Sequence, residues 1–160
     1  MSRSGYSDDG DNWALICWRG AVASSIRGKR GQSFLKEIVT ALDNLPEKSL
    51  IAGDFQSKIS GEFCTLGAVA KQRGINLSKI DPDDRMRIAS TFEITESLAA
   101  EIMYMNDEYG CNYFWKTAEI CGPMKRWESH TVQYKVINEN VKYDRWKNMR
   151  KWAQEHIKEE

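Results

Sequence analysis

The chain has 160 residues and a mass of 18.4 kDa, and 41% of its residues are hydrophobic and 29% charged, as in a globular domain with its own core. Its 23 basic and 23 acidic residues cancel, with local balances of +3 over residues 1–80, −6 over 81–110 and +3 over 111–160. A neutral chain with an acidic middle argues against a general nucleic-acid coat, which needs a basic face, and against a DNA mimic, which needs a large negative field.

Membrane and secretory features are absent from the sequence. No basic start is followed by an apolar stretch, and no apolar run approaches the roughly 18 residues of a membrane span. The four cysteines, Cys17, Cys64, Cys111 and Cys121, are far apart and form no C-x-x-C pair. We therefore expect free, buried thiols in a reducing compartment, and a cytoplasmic protein without a membrane partner.

Helical patterns dominate the first two thirds of the chain. Asp9 or Asp11 can cap a helix over 11–27, whose apolar residues cover nearly every face; that pattern is typical of a central helix or of an interface. After a basic glycine loop, Gly28–Gly31, apolar spacing predicts a second helix over 32–45, and so a helical hairpin. Three further helices are predicted over 61–73, 82–92 and 95–108.

The last third changes character. Residues 111–140 contain an aromatic stretch, a Gly-Pro turn and an alternating segment over 131–137, which together predict a β-hairpin. A final helix is expected over 142–158. We predict a mainly α fold, a single compact domain over 1–160 with about six helices and a small hairpin. The first nine residues are rich in Ser, Gly and Asp and are expected to be loose.

Catalytic chemistry finds little support. His130 and His156 lie outside any metal-ligand spacing, and there is no H-E-x-x-H motif and no phosphate-binding glycine loop. Asp81, Asp83 and Asp84 are explained as acidic residues at a helix start. The sequence predicts a protein that is not an enzyme and has no cofactor or metal.

Residues 66–80 resemble a degenerate helix-turn-helix. A small residue for close packing, Gly74 for the turn and a final apolar residue stand at the spacing of that motif. Against DNA binding, Asp81-Pro82 would end the second helix after one turn. A single helix ended by Gly74 explains the same residues.

Basic residues around the first helix form a candidate binding corner. Arg19 interrupts an apolar helix, and Arg27, Lys29 and Arg30 follow at its end. One interpretation of Arg19 is structural: its stem packs and its head pairs with a carboxylate of the acidic 81–108 segment. The other is that the four cations bind a partner, with the backbone amides of the glycine loop accessible to an anion.

The aromatic stretch also has two interpretations. Tyr113, Phe114, Trp115 and Trp127 belong either to the core or to an exposed binding surface. The candidate partner-binding residues are therefore Arg19, Arg27, Lys29, Arg30, Tyr113, Trp115 and Trp127.

Several segments carry a resemblance: Ser2-Arg-Ser-Gly-Tyr-Ser-Asp-Asp, Trp18-Arg-Gly, Ile26-Arg-Gly-Lys-Arg-Gly-Gln, Leu45-Pro-Glu-Lys, Gly61-Glu-Phe-Cys-Thr-Leu-Gly-Ala-Val, Ile80-Asp-Pro-Asp-Asp, Asn106-Asp-Glu and Arg145-Trp-Lys-Asn-Met-Arg-Lys-Trp. With them the chain resembles a family of small tailed-phage and prophage proteins without an assigned activity. The resemblance covers residues 2–110 and 140–158 and implies a cytoplasmic, mainly helical protein made in an infected or lysogenic bacterium. Residues 111–140 are an insertion relative to that family, so a shared function is expected outside it and a specialised one within it.

These observations predict a phage-encoded, non-enzymatic binding protein. It would modulate or inhibit a host macromolecule by stoichiometric association, and antiviral defence is one such target. The alternative is a DNA-binding regulator that uses residues 66–80 or the basic residues Arg27–Arg30. A structural or assembly factor of the virion ranks third. A host or phage protein is the expected partner, with nucleic acid and a homo-oligomer left open.

Overall fold

The structure is a computed structural model that describes residues 3–6, 11–110, 112–119 and 131–159. These ranges contain six α-helices and two strands: α1 Asn12–Arg27, α2 Lys29–Asp43, α3 Thr65–Arg73, α4 Arg85–Phe92, α5 Glu96–Asp107, β1 Tyr113–Glu119, β2 Thr131–Ile137 and α6 Val141–His156. The predicted mainly α fold with about six helices and a small hairpin is confirmed.

The chain divides into two compact units. The larger comprises Met1–Gly110 and Lys142–Glu160, and the smaller comprises Cys111–Val141. The smaller unit spans nearly the same residues as the insertion predicted at 111–140.

The core of the larger unit is built from apolar helix faces. On α2 the buried residues recur at the spacing of three and four that places them on one side of a helix. Helices α3, α4, α5 and α6 contribute facing side chains to the same cluster. The side chains without any exposed surface include Leu35, Ile38, Leu42, Leu66, Val69, Ile88, Ile102 and Met149.

Several helix ends follow the capping residues. Asp11 accepts a hydrogen bond from the Ala14 amide at 2.7 Å, and Gly74 ends α3 with a φ of 70°, which is the left-handed conformation that glycine favours. Two helices begin later than predicted. Helix α3 starts at Thr65 instead of 61, since residues before it form a bridge between Gln56 and Phe63.

Helix α4 starts at Arg85 instead of 82 because Asp81–Asp84 form a turn, closed by a 3.0 Å hydrogen bond from the Asp84 amide to the Asp81 carbonyl. Residues 75–84 contain no helix. The second helix that a helix-turn-helix at 66–80 requires is therefore not formed. The interpretation of Gly74 as the end of a single helix is the one that the structure supports.

The expected loop at Gly28–Gly31 is also wrong. Gly28 alone separates the first two helices, and Lys29, Arg30 and Gly31 form the first turn of α2. A Cβ on Gly31 would lie 2.0 Å from the carbonyl oxygen of Ser25. This glycine permits the tight crossing of α1 and α2, and the basic residues stand on a helix, not on an accessible loop.

In the smaller unit, β1 and β2 pair antiparallel along their whole length. The register places Tyr113 opposite Ile137, Trp115 opposite Lys135 and Glu119 opposite Thr131. The predicted hairpin strands are present, and the Gly-Pro turn at residues 122–123 lies outside the described residues.

Candidate partner-binding surfaces

Residues 3–6 are packed within the larger unit, unlike the loose segment expected over 1–9, whose other residues lie outside the described ones. Arg3 pairs with Asp107 at 3.4 Å and donates from Nε to the Pro82 carbonyl at 3.1 Å. The buried Ser4 hydroxyl donates to Glu108 at 2.5 Å. This short polar segment packs here because the Arg3 guanidinium and the Ser4 hydroxyl both find partners.

A second polar network joins two further segments of the resemblance. Asn106 accepts hydrogen bonds from the amide and the hydroxyl of Thr65, at 3.0 and 2.8 Å, and donates to the Ile51 carbonyl at 2.8 Å. Both Asn106 and Thr65 are buried. The segments opening at Ser2, Gly61, Ile80 and Asn106 thus contact one another through these hydrogen bonds and the Arg3–Asp107 pair. Two of them also line an open groove, through Phe63 and Gly67 of one and Ile80 and Pro82 of the other.

Arg19 lies between Glu101 of α5 and Tyr6 of the N-terminal segment. Its guanidinium is 3.4 Å from the carboxylate of Glu101, in the acidic segment, and 5.9 Å from the ring of Tyr6. The Tyr6 hydroxyl donates to the same carboxylate, and burial together with that hydrogen bond raises the pKa of Tyr6 above its usual range. Arg19 has the carboxylate partner that its structural interpretation requires, although its side chain is 55% exposed.

The other three basic residues do not share the surroundings of Arg19. Arg27, Lys29 and Arg30 are exposed and form no ion pair with any residue that the structure describes. Lys29 and Arg30 line a groove with Ser25 and Thr95, whereas Arg19 lines separate grooves that contain Tyr104. The candidate basic site therefore keeps Arg27, Lys29 and Arg30, at the junction of α1 and α2, and loses Arg19.

The hairpin displays aromatic side chains. Trp115 is 61% exposed, and its ring lies edge-on to that of Tyr113, with centroids 6.2 Å apart. The Lys135 ammonium is 3.5 Å from the Tyr113 ring centroid. Ile137, across from Tyr113, is also exposed. Tyr113 and Trp115 therefore form an exposed surface with a lysine, and Trp127 lies outside the described residues.

Helix α1 presents an apolar surface that was not among the candidate site residues. Only Val22 and Ile26 are buried on this helix, and Trp13 and Ile16 remain 73% and 61% exposed. Within the described ranges no helix is long and apolar enough to cross a membrane. Helix α1 is therefore not enclosed by the core on all sides.

The described His and Cys side chains can be placed individually. No three His, Cys, Asp or Glu side chains of the described residues are placed to hold a metal ion. His156 contacts the Trp152 carbonyl at 2.7 Å, one turn earlier in α6. Cys64 accepts a hydrogen bond from the Gly67 amide at 3.3 Å and caps α3, and burial raises the pKa of its thiol. His130 lies outside the described ranges.

No protein-family model matches the chain, and no curated protein or solved structure is significantly similar to it. Function has to be argued from the surfaces of the chain itself. The resemblance to phage proteins stays a prediction.

Proposed function

We propose that the chain is a phage-encoded, non-enzymatic binding protein that works in the cytoplasm of a bacterial host. It would associate stoichiometrically with a host macromolecule, most directly a protein, and so inhibit or modulate a bacterial process such as antiviral defence. The observation that carries this proposal is the exposed surface of Tyr113, Trp115, Lys135 and Ile137 on the hairpin.

This surface has the composition of a binding hot spot. Aromatic residues beside a cation are enriched where protein partners bind, and truncating one of them costs about 2 kcal/mol or more of binding energy at such sites. The opposite face of the hairpin is apolar as well, with Phe114 and Tyr134 about half exposed. A two-stranded hairpin is marginally stable alone in water, so covering either face would stabilise it.

The resemblance supports the same assignment. Its motifs contribute contacts that stabilise the larger unit, such as the Arg3–Asp107 pair and the Thr65–Asn106 hydrogen bonds. The hairpin is the insertion relative to that family. A surface added between two retained structural segments is a natural place for a partner specific to this protein.

The test is affinity purification of the tagged protein from its bacterial host, with and without nuclease, read by mass spectrometry. We expect one host protein near one-to-one stoichiometry, insensitive to nuclease and lost in Trp115→Ala. Thr117→Ala is the matched control, because Thr117 is an exposed residue of the same strand and face. Equal recovery with both variants would contradict the assignment of the hairpin.

DNA binding remains the second candidate because Arg27, Lys29 and Arg30 are exposed without a described ion-pair partner. It predicts recovery of nucleic acid, or of proteins that nuclease removes. Binding to duplex DNA would then fall steeply with salt and weaken in Arg27→Ala or Arg30→Ala. No retention on duplex DNA at low salt would exclude it.

A further inference from the structure

A groove of about 630 Å³ opens on the larger unit beside α3. Its volume lies in the range of about 300–1,000 Å³ that is usual for small-molecule sites. The two loops that flank α3 line it with apolar side chains, namely those of Phe55, Phe63, Ile75, Leu77, Ile80 and Pro82. Most of these pack against the core on one side and are half-buried, so they leave apolar surface for a ligand to cover.

The walls of the groove are fixed by contacts within the chain. After α3, the Ile75 amide donates to the Ala70 carbonyl at 2.9 Å, which fixes the start of one loop. On the other side, Gly67 of α3 lets the preceding loop approach the helix, because a Cβ on this residue would lie 2.0 Å from the Phe55 carbonyl oxygen. Both walls therefore have their shape without a ligand, as is usual for small-molecule sites.

Hydrogen-bond donors without a described partner line the groove. Lys58 and Lys71 are among the lining residues, and neither forms an ion pair with any residue that the structure describes. The Lys71 ammonium lies 4.8 Å from the centroid of the Phe63 ring, so this charge stands beside an apolar wall. The Asn76 side chain accepts from the Ser78 amide at 2.9 Å through its oxygen, which leaves its NH₂ group to donate. These groups suit a ligand that accepts hydrogen bonds and carries negative charge.

The acidic groups near the groove are hydrogen-bonded within their own turns. Asp54 is the one acidic residue among the described residues that line the groove, and it accepts a hydrogen bond from the adjacent Phe55 amide at 2.7 Å. Asp81 and Asp84 do not line the groove, and each accepts from a backbone amide two or three residues later. The lining residues therefore carry two positive charges and one negative charge. A ligand with a single negative charge is their complement.

We propose that the groove binds a small organic carboxylate with an apolar body. The apolar body covers the half-buried side chains of Leu77 and Ile80, because removing apolar surface from water is favourable. The carboxylate accepts from the ammonium groups of Lys58 and Lys71. A neutral molecule of the same shape gains only the first of these contributions, and a cation is repelled by the two lysines. This ligand is separate from the macromolecular partner proposed for the hairpin.

Isothermal titration calorimetry of the full chain with three probes tests the charge preference. Octanoate, octanol and octylammonium share one apolar chain and differ in charge, and each is used below the concentration at which it forms micelles. We expect octanoate to bind with a dissociation constant of about 1 mM or lower, which is ordinary for a ligand of about ten heavy atoms. Octylammonium should bind at least about fivefold more weakly. Equal binding of the two ions would contradict the proposal.

Amide NMR spectra locate the bound octanoate. The shifts should be concentrated on the groove, at Gly67, Lys71 and residues 75–80. Trp13 of α1 and Trp115 of β1 should not shift, although both are exposed apolar positions. Shifts centred on either tryptophan would show adsorption to another apolar surface and would rule out the groove as the site.

Two variants separate the charged contribution from the apolar one. Lys58→Gln/Lys71→Gln should weaken octanoate binding at least about fivefold and leave octanol binding unchanged. The matched control is Lys29→Gln/Lys79→Gln, which makes the same change in net charge at two exposed lysines outside the groove and should leave octanoate binding unchanged. Leu77→Ala should weaken octanoate and octanol alike, by about threefold.

The lysine variants decide the proposal even if Leu77→Ala fails to fold, since all four lysines are exposed and circular dichroism should show the helices retained. Octanoate binding that is unchanged in Lys58→Gln/Lys71→Gln would overturn the proposal, as would the absence of binding at about 10 mM octanoate. Binding of an acidic Leu-Glu-Leu-Glu peptide without binding of octanoate would identify a protein-docking groove and would also overturn it. Every variant keeps Tyr113 and Trp115, so these outcomes are independent of the hairpin.

Discussion

Arg3 and Asp107 form an ion pair with a nitrogen–oxygen distance of 3.4 Å, and their side chains are only 5% and 11% exposed. The Arg3 guanidinium also lies 5.5 Å from the Phe55 ring. This contact holds the start of the chain against the last residue of α5, more than a hundred positions away. It makes the opening of the sequence part of the core.

Arg3→Ala should be strongly destabilising. It removes the guanidinium 3.4 Å from the almost buried Asp107 carboxylate, which then keeps only the more distant charge of Arg145 and the hydrogen bond from Asn106; breaking a buried pair costs up to about 3–5 kcal/mol. Urea denaturation should show this loss in the free energy of unfolding. Arg27→Ala, at an exposed arginine, should change the same quantity by less than about 0.5 kcal/mol. Similar effects of the two substitutions would contradict the role of Arg3.

Asn106→Ala should also lower the free energy of unfolding, by about 3 kcal/mol, because it removes the partners of the Thr65 amide, the Thr65 hydroxyl and the Ile51 carbonyl. Chemical denaturation gives the value. Asn12→Ala, at an exposed asparagine at the start of α1, is the control and should be nearly neutral. A loss below about 1 kcal/mol would mean that water replaces these hydrogen bonds.

The lowered pKa of Glu62 predicts that the protein loses stability in acid. Hydrogen bonds from Lys142, Ser60 and Ser49 lower the pKa of Glu62 from 4.5 to about 2. Because the folded pKa is the lower one, the stabilisation is complete above pH 4.5 and is lost as the pH falls toward 2. Lys142 is 52% exposed and screened by solvent, so we expect about 1 kcal/mol.

The measurement is the urea midpoint of the wild type and of Glu62→Gln at pH 7 and at pH 2. The wild type should be the more stable at pH 7, and the difference should shrink at pH 2. A difference that is the same at both pH values would rule out a titrating Glu62.

Gly31→Ala and Gly20→Ala should have opposite effects on the free energy of unfolding. At Gly31 the new methyl would collide with the Ser25 carbonyl and force α1 and α2 apart, at a cost of about 1–3 kcal/mol. At Gly20 it meets open space and should stabilise α1 by about 0.5–1 kcal/mol. Thermal and urea unfolding give both values. Destabilisation by Gly20→Ala under these conditions would show a contact within the chain.

Sequence reasoning located elements best where local signals agree. Asp11 and Thr95 cap α1 and α5 within a residue of the predicted starts, and the alternation over 131–137 is the second strand. The starts of α3 and α4 were displaced because backbone pairing between distant residues, or a turn with its own hydrogen bond, replaced the first helical turn. The Gln56–Phe63 bridge and the Asp81–Asp84 turn depend on the path of the chain in the fold, which the helical pattern does not show.

The surfaces were harder to predict than the elements. The hairpin residues Tyr113 and Trp115 were among the candidates as part of an aromatic stretch, but the sequence left open whether they lie in the core or on an exposed surface; the structure places them on the surface. Trp13 and Ile16 were missed because α1 is apolar all round and its pattern does not show which side is buried. For Arg19 the sequence left two interpretations, a structural ion pair and a partner-binding cation. The position of Glu101, 3.4 Å away, supports the ion pair.

The sequence alone determined the number of helices, their order, the hairpin and the neutral charge, because capping residues, apolar periods and turn residues act over a few neighbouring positions. Tertiary structure decided which apolar residues stay exposed, that Arg3 and Ser4 are buried, and that Gly31 has a packing role whereas a Cβ on Gly20 would meet no described residue within 4 Å. Those outcomes depend on contacts between residues that are distant in sequence, which no local pattern encodes.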